Sequence, residues 1–428
     1  AVPLGATYKA LIDPPSPPTG FEQPAFDDSA WPTAQAAFGF NASVCSGFTA
    51  PNTVLPHLNS TVYLRKSFAL PANAFGVHVT GTVDNFADVY VNGTLRQNAS
   101  SPSCTSGGID AKVSNGSLNL GGNNLVAARL SNATGPASYL DLQVTYGTVV
   151  FSQQPSATQQ GSLITPNPAV TITDADGQPV QGATVAVSLQ TVSGSGTFTG
   201  GSTTSATTDA SGVATFSNLA VTDSGQYRLV ASSDGATTTS TGFQVADQIA
   251  PCNGNCSAHG SKGGTNVDAS ATNAPTGSSL LVSVIQNITP PSGICQAFVP
   301  LGAGSFVDIL STGTARPDIT VTWRLDKALV QAAGNPAASS FNICLGAVNL
   351  DHPDGSNTTP WTTKSGSPAT AVPDAFLGVT MFWGVLPDCA KKGKPAGPCV
   401  LKRNKNSAGD EIVDFFLPAP WDASFYGG

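Results

Sequence analysis

Charged side chains make up only 10% of the 428 residues, against about a quarter in an average soluble protein, and that shortage removes several kinds of protein at once. There is one Met, and Glu and Lys are scarce, so the straight-chain residues that cover long exposed helices are missing. Positive charge is rarer still. Eighteen Lys and Arg stand against 26 Asp and Glu, giving a net charge of −8, which argues against binding to the nucleic-acid backbone, since that requires a basic face on the scale of a domain. No stretch approaches the ~20 apolar residues that cross a bilayer. The chain begins at Ala1 with neither Met nor an apolar signal region and carries no hydrophobic tail, so it is expected to be an exported, mature protein without membrane insertion. Histidine occurs four times, at His57, His78, His259 and His352, none in a nucleophile context. The G-x-S-x-G, H-E-x-x-H, P-loop and G-x-G-x-x-G patterns are all missing. An enzyme is therefore not expected; a hydrolase would have to use carboxylates such as Asp388 or Glu411 converging in space.

What is abundant is turn and strand chemistry: 45 Gly and 32 Pro, with many Ser, Thr and Asn. Strict alternation marks strands at Leu140, Leu142, Val144 and Tyr146, and again at Ile319, Val321, Trp323 and Leu325, each apolar residue separated by a polar one. Phe86-Ala-Asp-Val-Tyr-Val-Asn-Gly93 ends in an Asn-Gly pair that predicts a tight hairpin. Composition shifts divide the chain into residues 1–147, 148–247 and 248–428. The middle stretch has no Cys, and the last holds six of the eight.

The order Phe26-Asp-Asp-Ser-Ala-Trp31, Phe38-Gly39, Tyr63-Leu-Arg-Lys-Ser-Phe68 and Asp84-Asn-Phe-Ala-Asp-Val-Tyr-Val-Asn-Gly93 resembles the galactose-binding-like jelly-roll modules attached to many glycoside hydrolases. The resemblance implies a jelly roll over residues 1–147 and leaves its ligand open. Asp174-Ala-Asp-Gly-Gln-Pro-Val-Gln-Gly-Ala-Thr184 and Thr208-Asp-Ala-Ser-Gly-Val-Ala-Thr-Phe216 resemble the bacterial Ig-like repeats of invasins and adhesins. Asp223-Ser-Gly-Gln-Tyr227 matches the tyrosine corner of such sandwiches, whose hydroxyl bonds back to nearby backbone. The segments Gly384–Cys389, Pro398–Arg403 and Gly409–Trp421 resemble a domain of unknown function that recurs in secreted actinobacterial proteins. The expected fold is all-β: three consecutive β-sandwich modules, a jelly roll, an Ig-like domain and a disulfide-stabilised β domain.

Eight Cys without paired zinc knuckles read as disulfides of an oxidising compartment: Cys45, Cys104, Cys252, Cys256, Cys295, Cys344, Cys389 and Cys399. Cys389 and Cys399 bracket a Gly- and Pro-containing loop and are expected to pair, as are Cys45 and Cys104, alone in their module. Cys252 and Cys256, followed by His259, are either a metal knuckle, a small disulfide loop, or halves of two bridges. Lys391, Lys392, Lys394, Lys402, Arg403 and Lys405 concentrate six of the 18 basic residues at one tip, a candidate contact for anionic polymer or for an acidic face of another copy. Asp84 with Asp88 could hold a structural Ca²⁺, as could Asp174 with Asp176, although turn chemistry explains each. N-x-S/T sequons begin at Asn41, Asn59, Asn92, Asn98, Asn115 and Asn132 in the first module, and later at Asn255, Asn287 and Asn357. Of the five Trp, Trp31 and Trp323 read as core, while Trp361, in a Pro- and Thr-rich loop, reads as free to stack on sugar. These features predict a non-catalytic extracellular structural or adhesive surface protein, able to assemble with copies of itself into a filament or sheath or to bind cell-wall polymer. The alternative is a carbohydrate-binding accessory protein.

Overall fold

The computed structural model describes the chain apart from residues 42–49, 132–136, 286–294, 296–305, 313–316, 333, 336, 338–341, 350, 357, 375–378, 392–394, 420 and 428, and apart from the side chains of residues 102–107, 423, 424, 426 and 427. The fold is all-β. Among the described residues the strands form sheets of eleven, six, seven and five members, and the one α-helix is Lys327–Ala332.

The eleven-stranded sheet curls around its own core. Its pivot is the Ala74–Val91 strand, which pairs through residues 74–84 with the Ser138–Gln153 strand and through residues 86–91 with the Asn123–Ser131 strand. Alternate apolar side chains, among them Val79, Val89, Leu64, Leu140, Leu142 and Val144, fill the interior. The expected hairpin is present: Asn92 and Gly93 have φ of 49° and 81° and join Val91 to its cross-strand partner Thr94, the turn geometry that Asn-Gly favours. The corner at residues 21–31 is pinned by Arg65, which is 3% exposed. Its Nε donates to Asp28 Oδ2 at 2.7 Å, its two terminal nitrogens donate to the carbonyls of Phe21, Gln23 and Phe26, and the guanidinium lies 5.2 Å from the centre of the Phe26 ring.

The Ser138–Gln153 strand does not stop at residue 147. Residues 139–148 pair with the Ala74–Val91 strand, and residues 148–153 pair with the Ala169–Thr173 strand, so one uninterrupted strand serves two cores. Gly147 permits this crossing, because a Cβ there would lie 2.1 Å from Thr173 O and 2.6 Å from Phe75 O. Beyond it, Ala169–Thr173 and Val213–Thr215 face the six-stranded sheet across a core containing Val149, Val170, Ile172, Val185 and Leu229. Tyr227 closes this core as a tyrosine corner: its hydroxyl donates to Asp223 O at 3.1 Å and accepts from Gly196 N at 2.8 Å.

The remaining two sheets, of seven and five strands, pack face to face. Ile319, Val321, Trp323 and Leu325 all point inward from the Asp318–Leu325 strand, and Thr320 and Arg324 point out. Trp323 meets Phe425 edge to face, and Phe425 in turn meets Phe415.

This last sandwich meets the middle one through side chains. Ser224 Oγ donates to Val284 O at 2.9 Å, Gln244 Nε2 to Ser283 Oγ at 2.8 Å, and Gln226 Nε2 to Asp308 Oδ2 at 3.2 Å, while Lys262 pairs with Asp223. Asp308 is 1% exposed and lies opposite Ser283 across adjacent strands.

Candidate functional site in the C-terminal sandwich

Cys389 and Cys399 are bonded, as expected from the loop they bracket. Backbone hydrogen bonds close the same loop, Cys389 N to Val400 O at 2.9 Å and Val400 N to Pro387 O at 2.8 Å, so its base is fixed twice over. Beneath it lies a cavity of about 570 Å³ walled by Trp361, Trp421, Pro360, Pro398, Asn349 and Asp388, within the size range of small-ligand pockets. Trp361 is 4% exposed, which corrects the expectation of a free ring. The segment around it folds into a tight hairpin, with Ala369 N donating to Trp361 O and Thr363 N to Ser367 O. That hairpin turns the indole inward, where Nε1 donates to Phe382 O at 3.1 Å.

On the other side of this hairpin a second cavity of about 530 Å³ sets Trp383 among Thr363, Ser365, Ser367, Thr370 and Lys364. Trp383 is 5% exposed and packs into the core beneath this cavity, so what the site offers is its ring of hydroxyls, chemistry suited to the hydrogen-bonding edge of a saccharide.

The basic tip is smaller than its sequence suggests. Arg403 is paired with Asp388, and Lys405 Nζ lies 3.1 Å from Glu411 Oε1. The same two pairs occupy the carboxylates considered as catalytic candidates. Lys391 and Lys402 remain exposed at the loop. Lys392 and Lys394 lie outside the described residues.

Two further disulfides are present. Cys252 bonds to Cys256 and Cys295 to Cys344, so the Cys252-Cys256-His259 segment is a small disulfide loop and not a metal knuckle. His259 Nδ1 instead lies 2.8 Å from Asp268 Oδ1. The expected Cys45–Cys104 bond falls on Cys45 and the Cys104 side chain, which lie outside the described residues. Three bonded pairs fit an oxidising compartment, and no helix among the described residues is long and apolar enough to cross a membrane.

The calcium candidates are not brought together. Asp84 and Asp88 are four strand residues apart, roughly 13 Å at the usual rise. Asp84 Oδ1 accepts from Asn85 Nδ2 at 2.7 Å, with burial raising its pKa, whereas Asp88 accepts from Asn98 and faces Arg129 at 3.7 Å. Asp174 caps its own turn, accepting from the backbone of Asp176 and Gln178. Asp176 turns the other way, to His78. Among the described residues no three His, Cys, Asp or Glu gather as metal ligands.

Of the sequons, Asn41, Asn59, Asn98 and Asn255 are exposed. Asn115 is 4% exposed, and its amide donates to Asp234 O at 3.0 Å while its oxygen accepts from Gly76 N at 2.6 Å. Asn92 donates to Ser117 O and Asn124 Oδ1. Both amide nitrogens are committed to holding loops, which corrects their reading as glycan acceptors in the folded protein. Asn132, Asn287 and Asn357 lie outside the described residues.

His78 carries a feature the sequence did not reveal. It is 8% exposed, with Nε2 2.5 Å from Asp110 Oδ1 and Nδ1 2.6 Å from Asp176 Oδ1. Burial acts to lower its pKa, but the two carboxylates more than offset this and the net shift is upward; in return the His78 bond holds Asp176 below its usual value. Asp110 belongs to the first body and Asp176 to the second, so one imidazolium ties them.

Residues 169–250 match the carboxypeptidase regulatory-like domain family, in keeping with the Ig-like sandwich of the middle unit. No curated protein matches the chain. Solved structures that match include a β-glucuronidase of Bacteroides uniformis, 12% identical over 56% of this chain and 31% of that one with a TM-score of 0.25. A glycosyl hydrolase family 2 member from Bacteroides cellulosilyticus is 15% identical over 56% and 35%, with a TM-score of 0.25. A β-glucuronidase from Ruminococcus gnavus is 12% identical over 62% and 46%, with a TM-score of 0.24. The chain spans less than half the length of each, and superpositions this loose carry nothing about activity.

Proposed function

We propose that this chain is a non-catalytic extracellular structural or adhesive protein: a stiff row of jelly-roll, Ig-like and disulfide-bonded β bodies that carries a binding surface on its last sandwich. The observation behind this reading is the absence of slack at the junctions. A strand is shared across the first, and buried polar side chains span the second. Such continuity suits a spacer or a subunit that must transmit shape, whereas relative motion is the default for linked domains with small polar interfaces. The partners proposed are anionic wall polymer or polysaccharide, met by Lys391, Lys402 and the two Trp-lined cavities, and further copies of the chain, which would give an open filament if the contact does not close.

A carbohydrate-binding accessory role is the second reading, and the hydroxyl-ringed Trp383 cavity favours it. A glycan array together with size exclusion and electron microscopy across concentration and ionic strength separates the two. The structural reading expects concentration-dependent assemblies or salt-sensitive binding to anionic polymer. A strict monomer that binds only a neutral saccharide overturns it in favour of the second.

A further inference from the structure

A third cavity, of about 370 Å³, opens at the first junction, far in sequence from the disulfide loop. Its walls come from both bodies: Phe75, Val77 and Val113 supply apolar surface, and His78, Arg96, Lys112, Asp174 and Asp176 supply charge. Concave sites between bodies, mostly apolar with a few convergent polar groups, are where small ligands bind.

Most of these charges are already satisfied. Asp176 is taken by His78 at 2.6 Å and Lys112 at 3.6 Å, and Asp174 Oδ1 accepts two backbone N–H groups. Arg96 is different. Among the described residues its guanidinium has no acceptor, and its Nε is shielded from water without a hydrogen bond. A donor cut off from water with no acceptor is costly, and an anion at the guanidinium would satisfy it. Its placement is also specific. Val89 pairs with Gln97 and Tyr90 with Leu95, so Arg96 is the extra residue of a β-bulge, the device by which strands re-aim one side chain.

We propose that this junction cavity binds a small organic carboxylate with an apolar face, Arg96 gripping the carboxylate through its planar fork and Phe75, Val77 and Val113 covering the body of the ligand. His78 and Lys112 are met by Asp110 and Asp176, which leaves Arg96 as the wall cation without a hydrogen-bond acceptor among the described residues and the group a ligand carboxylate would meet. The fork matches a carboxylate in two parallel hydrogen bonds, which a single ammonium does not reproduce. The volume lies at the low end for ligand pockets and admits one monosaccharide-sized molecule.

The test titrates the whole protein by calorimetry and ligand-observed NMR with galacturonate, galactose, cyclohexanecarboxylate and inorganic phosphate. Galacturonate and galactose differ only in the carboxylate, and cyclohexanecarboxylate separates a sugar acid from any other apolar acid. At least one of the two carboxylates should bind, with galactose weaker by about tenfold or more. Arg96→Gln should weaken the carboxylate by a similar factor, and Arg96→Lys should restore it only in part. In the ligand-free protein Arg96→Gln should leave the melting temperature unchanged or raise it, because an unpaired charge is removed; a clear fall would show that Arg96 is held structurally and would overturn the proposal. It is equally overturned if neither carboxylate binds at millimolar concentration, if galactose matches galacturonate in the absence of cyclohexanecarboxylate binding, if phosphate alone binds, or if Arg96→Gln binds as the native chain does.

Discussion

The two junctions join similar sandwiches by different means. At the first, main-chain hydrogen bonds do most of the joining: Ser138–Gln153 is a member of both cores and Thr237 N donates to Ala72 O. At the second, the contacts described above are mostly made by side chains, those of Ser224, Gln226, Gln244, Lys262 and Asp308. Main-chain pairing is indifferent to side-chain identity, so the first junction should tolerate substitution where the second should not. Its exceptions include the Asn115 amide and His78, the charged tie between Asp110 and Asp176.

The largest effect is expected at the second junction. Asp308→Ala removes a buried carboxylate that accepts from Gln226 Nε2 at 3.2 Å and from the buried Gln244 Nε2 at 3.5 Å and should destabilise the protein by about 3 kcal/mol, read by denaturant unfolding, with the last sandwich separating as its own transition. If the loss is below about 0.5 kcal/mol, the level of an ordinary surface change, the second junction does not depend on its side chains.

A smaller effect is expected from His78→Ala, about 1 to 2 kcal/mol at pH 6. Because the folded pKa of His78 is raised above the ordinary imidazole value of 6.5, the stabilisation it gives is complete below that value and is lost as pH rises through the folded one. Unfolding free energy of the native chain should therefore decline on going from mildly acid to alkaline pH, and His78→Ala should remove that part of the decline. An identical pH profile in the two proteins would show that the tie contributes nothing.

Much of this architecture is legible in the sequence, and the unread part has a common cause. The Ile319 to Leu325 alternation, the Asn92-Gly93 hairpin, the tyrosine corner at Tyr227 and the Cys389–Cys399 loop are local signals, each complete within a few residues. What local pattern misreads is contact at long range. Gly147 ends the alternating run at Tyr146 and looks like a terminus, yet it is the point where another backbone comes close. Trp361 lies in a segment with the composition of an open loop, but the hairpin buries it. Arg65, which fixes the 21–31 corner, and His78, whose partner Asp176 is 98 residues away, announce themselves by no spacing at all. At the candidate site the basic cluster is visible in the sequence, whereas the pairing of Arg403 with Asp388 and Lys405 with Glu411 is not, because it depends on which strands are neighbours.

If both junctions hold the three bodies in one fixed arrangement, distances measured across them are single-valued. Spin labels attached through unnatural amino acids, sparing the disulfides, at the exposed positions Asn59, Thr203 and Ser407 report on the first junction as the Asn59–Thr203 pair and on the second as the Thr203–Ser407 pair. One narrow distance distribution is expected for each pair. A broad or multimodal distribution for either pair would contradict that arrangement and would locate the hinge.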